Sequence, residues 1–191
     1  SGVTTPTTPA TWTMEPTFRD DFSSSTGWTS TNSLFAVDTS VPAIIANNTQ
    51  TSTNLQVGKD FGLLSDTAWV IDFDLKVTDA VTSAGSLWTH VGMWNSNTSV
   101  LDGANQDMCG LILHGEVSSD NIQMIDSDNS RPDQLTPTST GLTLNGTPQY
   151  YLRMRRTDAD TLILESYSTS ARTGTPASTT RTLVGDPQNL Q

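Results

Sequence analysis

The chain is short of positive charge. Its 191 residues hold nine Lys and Arg against 20 Asp and Glu, a formal net charge of -11. A nucleic-acid partner requires Lys and Arg to neutralise phosphates, so this balance argues against one. It argues equally against docking on an anionic membrane surface. Long apolar runs are also missing, and none approaches the roughly 20 residues of a membrane span. Cysteine is nearly absent. Cys109 is alone, so no internal disulfide can form. A domain of this length can bury enough core without one. Cys109 lies in the run Met108-Cys109-Gly110-Leu111-Ile112-Leu113. Its ordinary role there is that of a buried small hydrophobe, because a reactive thiol wants exposure and a nearby base.

Catalytic patterns are missing too. No Gly-x-Ser-x-Gly elbow and no glycine-rich phosphate loop occurs. The two histidines, His90 and His114, fall in no zinc spacing.

What the chain has is hydroxyl groups. Thr is about a sixth of the residues, and Lys and Glu are few. That composition favours strands over helices. Residues 1–16 begin SGVTTPTTPAT and read as a Thr/Pro-rich arm, extended and semi-rigid. The arm has neither the basic nor the apolar region of a signal peptide, as in a mature secreted protein. Residues 17–191 then read as one β domain.

Period-two patterning carries that reading. In Trp69–Val77, the residues Trp69, Ile71, Phe73, Leu75 and Val77 fall on one face, and Asp72, Asp74 and Lys76 on the other. A strand collects these apolar residues on one side, whereas a helix would scatter them. Tyr150–Arg156 alternates likewise, with Leu152 and Met154 inward and Arg153 and Arg155 outward. Asp158-Ala159-Asp160 then turns the chain into Leu162–Tyr167, a hairpin. Further strands are expected at Phe18–Phe22, Leu34–Val37, Ala43–Ala46, Leu87–Trp94, Met108–Gly115, Ile122–Ile125 and Thr180–Val184. Turns are expected at Asn95–Asn97 and Asp126–Ser130, and no amphipathic helix is evident. Many short strands separated by turns predict an all-β antiparallel two-sheet β-sandwich or jelly roll.

Several segments, in order, carry a resemblance. They are Phe18–Phe22 with Gly27-Trp28, Leu63–Phe73, Leu87-Trp88 with Val91-Gly92, and Gln106-Asp107 ahead of Gly110–Ile112. The last are Tyr150–Arg155, Tyr167-Ser168 and Ser170–Thr173. Together they resemble the concanavalin A-like, laminin-G-type sandwiches of microbial surface proteins, over about residues 18–190. The resemblance implies the fold. Function stays open, since such sandwiches serve as glycan binders, glycosidases, adhesins and assembly parts.

In that family the chain typically runs on, after a segment like Leu183–Leu190, into a final core strand. Here an open slot is expected, and the arm is its natural donor. Trp12 and Met14 would point inward together, either on their own sandwich or in a neighbouring copy. The plainer reading is a chain cut at an arbitrary boundary. Glycosidases on related sandwiches carry Glu-x-Asp-x-Glu on one strand. Glu15, Glu116 and Glu165 lack that pattern, which leaves only the Asp72/Asp74 pair as a remote alternative.

Binding has more candidates. Trp88, His90 and Trp94 share one face of Leu87–Trp94, which is either a second core layer or an aromatic platform for sugars. Calcium is the only cofactor suggested. Asp102, Asn105 and Asp107 in one loop, and Asp126 and Asp128 in another, gather hard oxygen ligands. Asp and Asn equally form turns by bonding their own backbone. Asn47, Asn97 and Asn145 begin glycosylation sequons. The expectation is therefore a non-catalytic extracellular structural or adhesive sandwich. Its partners would be other copies of itself or cell-surface glycans.

Overall fold

A computed structural model describes residues 20–30, 35–46, 57–77, 87–95, 106–115, 120–130 and 136–184, together with 187, 188 and 190. It is all-β among these residues. Twelve strands run in order: β1 (Trp28–Ser30), β2 (Phe35–Asp38), β3 (Ala43–Ala46), β4 (Val57–Lys59), β5 (Trp69–Lys76) and β6 (Leu87–Trp94). Then come β7 (Gln106–Gly115), β8 (Asn121–Ser130), β9 (Thr138–Thr143), β10 (Gln149–Asp158), β11 (Thr161–Tyr167) and β12 (Ala177–Thr182). One four-stranded sheet has the order β12-β11-β10-β5, and a second has β6-β7-β8-β9. The pairs β1-β4 and β2-β3 stand beside them, and every pairing is antiparallel. The two larger sheets pack face to face as a β-sandwich.

Alternation builds the core. β5 turns Trp69, Ile71, Phe73 and Leu75 inward, as its pattern dictates. β10 and β11 contribute Leu152, Met154, Leu162 and Leu164, and β7 and β8 contribute Cys109, Leu111, Ile122 and Met124. Each such burial stabilises by about 1.5–3 kcal/mol relative to exposure. Gly92 faces Gly110 across β6 and β7. A Cβ on either would drive into the backbone carbonyl of the opposite strand, so only glycine lets these strands approach.

The hairpin β10–β11 turns where the sequence places it, with the Asp158 carboxylate accepting the Asp160 N–H at 2.9 Å. Two expectations need correction. Residues 20–22 of the expected strand Phe18–Phe22 are not strand; residues 18 and 19 lie outside the described set. The Asp20 carboxylate instead accepts from Phe22 N–H (2.8 Å), Trp28 Nε1 (2.9 Å) and Lys59 Nζ (2.8 Å). That turn holds Phe22 at a left-handed φ of 56°. The expected turn at Asp126–Ser130 is the continuation of β8.

The reason lies at the other end of the chain. Asp126 is fully buried and meets Arg181 of β12 at 2.5 Å, while its second oxygen accepts the Val184 N–H at 2.6 Å. A compensated charge can sit in a buried strand. After β12 the described residues 183, 184, 187, 188 and 190 act as a strap tied back to the sandwich. Arg156 donates to Pro187 O (2.5 Å), Asp107 accepts from Gln188 N–H (2.9 Å), and Leu64 N–H donates to Leu190 O (2.8 Å). Leu183 and Leu190 are buried.

Candidate functional site

The outward side of the β10 sheet concentrates the chemistry. β10 alternation sends Tyr151, Arg153 and Arg155 away from the core. The register sets Arg153 between Asp72 of β5 and Glu165 of β11, and Tyr151 between Asp74 and Tyr167. Arg153 grips Asp72 with two bonds, Nε to Oδ1 at 2.7 Å and Nη2 to Oδ2 at 2.9 Å. Its guanidinium also lies 5.6 Å from the Tyr167 ring centroid, a cation–π distance. The bond to Asp72 is the main reason the Arg153 guanidinium is held even further above its usual range. Arg155 donates to Glu165 at 3.0 Å, and Tyr167 donates its phenol to the other Glu165 oxygen at 2.7 Å. That bond to Glu165 is the first cause raising the Tyr167 phenol.

Arg172 closes the rim from the loop after β11. It adopts a left-handed φ of 50°, uncommon for a side chain of its size. Its guanidinium donates to Leu152 O and Ser170 O at 3.0 Å each, and to Asp74. The Asp72/Asp74 pair is therefore not a bare dyad, since each carboxylate is already held by an arginine. Sequence reading gave the outward direction of Arg153 and Arg155. It missed their partners and Arg172, which lie 81, 10 and 98 positions away from the groups they bind.

The other candidate face is different. His90 and Trp94 do share a face of β6, opposite Met93 of the main core. The Trp88 side chain lies outside the described residues. Trp94 packs against Met108, Ile112 and Ile125, which are at most 1% exposed. His90 meets the Trp94 ring edge-on at 6.2 Å. At Trp94 this face is a second packed layer, one of the two alternatives its pattern allowed. The sign was present in Met108–Leu113, apolar on both faces, as in a strand buried on both sides.

Of the calcium candidates, Asp102 and Asn105 lie outside the described residues. Asp107 and Asp126 are buried and bind the strap, and Asp128 sits half-buried in β8. Among the described residues no group of three or more His, Cys, Asp or Glu is placed to hold a metal ion. Trp12, Met14, Asn47 and Asn97 also lie outside the described set. Asn145 is exposed in the turn between β9 and β10, its N–H bonded to Thr143 Oγ1 at 3.1 Å. Burial pushes the Cys109 thiol up to about 12, so it is not a thiolate at neutral pH. No described helix is long and apolar enough to cross a membrane.

Comparisons with protein-family models, with curated proteins and with solved structures gave no match.

Proposed function

We propose that this chain is a non-catalytic structural subunit of a microbial cell surface, a β-sandwich completed by a strand from a neighbouring copy. The ordered segments that resemble laminin-G-type surface sandwiches, and the Thr/Pro arm at 1–16, support the surface setting. One observation carries the assembly reading. Burial falls off across the β10 sheet toward β5. Leu152, Met154, Leu162 and Leu164 are at most 2% exposed, whereas Ile71, Phe73 and Leu75 are only half-buried. Among the described strands β5 has a neighbour on one side only. An edge with a half-covered apolar face is a template for a further strand. The segment Thr11-Trp12-Thr13-Met14 fits it, because Trp12 and Met14 would fall on the same side and cover Ile71 and Phe73.

The test compares the full chain with one lacking residues 1–14, by negative-stain microscopy and sedimentation. Linear assemblies are expected from the full chain, and their loss from the shortened one. A peptide of residues 8–16 should bind the shortened chain. A shortened chain that assembles like the full one contradicts the reading. So does a full chain that stays monomeric with its arm folded on its own sandwich.

A further inference from the structure

We propose that Asn145 is a self-modification site. The backbone nitrogen of Gly146 attacks the Asn145 side-chain amide and leaves an aspartate or isoaspartate in the turn between β9 and β10. Water is the only co-reactant. Strand exchange is not needed for it, and either can fail without the other.

The chain holds a single Asn-Gly step, Asn145-Gly146. A side chain on the residue after an asparagine shields the backbone nitrogen, and glycine has none. The fold leaves this step open. Asn145, Gly146 and Thr147 are all exposed, and none of them is in a strand. Among the described residues no group accepts the Gly146 N–H, so the nucleophile is not held in a ladder. A Cβ built on Gly146 would meet no atom within 4 Å, which leaves room for water on that side. Asn121 is the contrast. It opens β8 and is followed by Ile122, which is fully buried.

Nothing is oxidised or reduced in the reaction. Water takes the Gly146 N–H proton, and the nitrogen bonds to Asn145 Cγ. The Cγ–Nδ2 bond breaks, and Nδ2 takes a proton back from water and leaves as ammonia. The product is a cyclic succinimide. Water then adds to one of its two carbonyl carbons and reopens the ring. Opening at Cγ gives aspartate. Opening at the backbone carbonyl carbon gives isoaspartate, whose main chain runs through the former side chain. The base of the turn is held while its tip changes. Leu144 is buried, and its N–H donates to Asp120 O at 3.2 Å. The Tyr150 phenol donates to Thr143 O at 2.7 Å and accepts the Thr143 N–H at 3.2 Å. The new carboxylate therefore stays local to the tip. A glycan on Asn145 would take up the amide that leaves, so the two modifications compete for one side chain.

Peptide mapping by mass spectrometry tests it. The full chain, made in a host that adds no glycans, is held folded in warm, mildly alkaline buffer and digested at intervals. A free peptide of residues 140–150 is treated alongside. Aspartate and isoaspartate are expected at position 145, and hydroxylamine should trap the succinimide as a hydroxamate. Asn145 in the folded chain should react at least about tenfold faster than Asn121, which needs a local opening first. Gly146→Ala should slow the reaction at least about tenfold, in the chain and in the peptide alike. Alanine is strained at the Gly146 φ of 85°, so near-UV circular dichroism checks the fold of that variant. Asn145→Gln should keep the fold and end the modification at this position. An amide that survives at 145 while the free peptide reacts overturns the proposal. So does an unchanged rate in Gly146→Ala, or reaction at Asn121 as fast as at Asn145. Aspartate at 145 with neither isoaspartate nor a trapped succinimide also overturns it.

Discussion

On the β10 sheet, the residues that point away from the sandwich include Val70, Asp72, Asp74, Arg153, Arg155, Glu165, Tyr151 and Tyr167. On the β7 sheet, they include Trp94, Met108, Ile112 and Ile125. Both sheets are four-stranded and antiparallel, and both send one face into the same core. They differ in what the second face does. The first faces water and has its charges tied in cross-strand pairs, and the second is packed around Met108, Ile112 and Ile125. An outward-facing aromatic therefore means different things on the two sheets. Trp94 is part of a packed layer, whereas Tyr151 and Tyr167 are presented. The same contrast separates two ion pairs. Asp126–Arg181 is inside, at most 3% exposed, and Asp72–Arg153 is outside, a third or more exposed.

The largest effect should come from breaking the inner pair. Asp126→Ala leaves the Arg181 guanidinium buried without its carboxylate and frees the Val184 N–H. A loss of about 3–5 kcal/mol is expected in urea unfolding. Arg153→Ala on the outer pair should cost about 0–1 kcal/mol, because solvent screens it. Equal losses would erase the distinction between inside and outside.

Next in size, Ile112→Ala on the packed face should cost about 2–5 kcal/mol by opening a cavity. Val70→Ala on the wet face, where the side chain is 57% exposed, should fall within about 0.5 kcal/mol. Similar costs at both positions would mean that the faces are covered alike.

The smallest effect is a pH dependence on the wet face. Glu165 holds the Tyr167 phenol above its usual range, so the folded chain keeps that proton to higher pH than the unfolded chain. The stability from this bond is complete below about pH 10 and fades as pH rises through the folded value. The stability gap between the wild type and Tyr167→Phe should therefore narrow above pH 10. A gap that is flat with pH would deny the bond.

The sequence made the period-two elements plain. β5, the β10–β11 hairpin and the face shared by His90 and Trp94 follow from alternation alone. Three short strands did not. β1, β4 and β9 are built from residues such as Thr29, Gly58 and Thr140, and they lack the apolar rhythm that marks a half-buried strand. The end of β8 was concealed for another reason. Asp126-Ser127-Asp128-Asn129 has turn composition, and only the arrival of Arg181 from β12 makes it strand. The wet face was half legible. Its outward directions are local, but its pairs join residues up to 98 positions apart, and no spacing rule reports such pairing.

Methionine oxidation tests the central contrast most directly. Met108 points away from the main core, yet it is as buried as Met124, which points into it. Dilute peroxide on the folded chain, read by mass spectrometry, compares the two. The packed-face account predicts that Met108 oxidises as slowly as Met124 and speeds up only when the chain unfolds. Oxidation of Met108 in the folded chain at the rate seen in urea would contradict it, and with it the division of this sandwich into one packed and one open outer face.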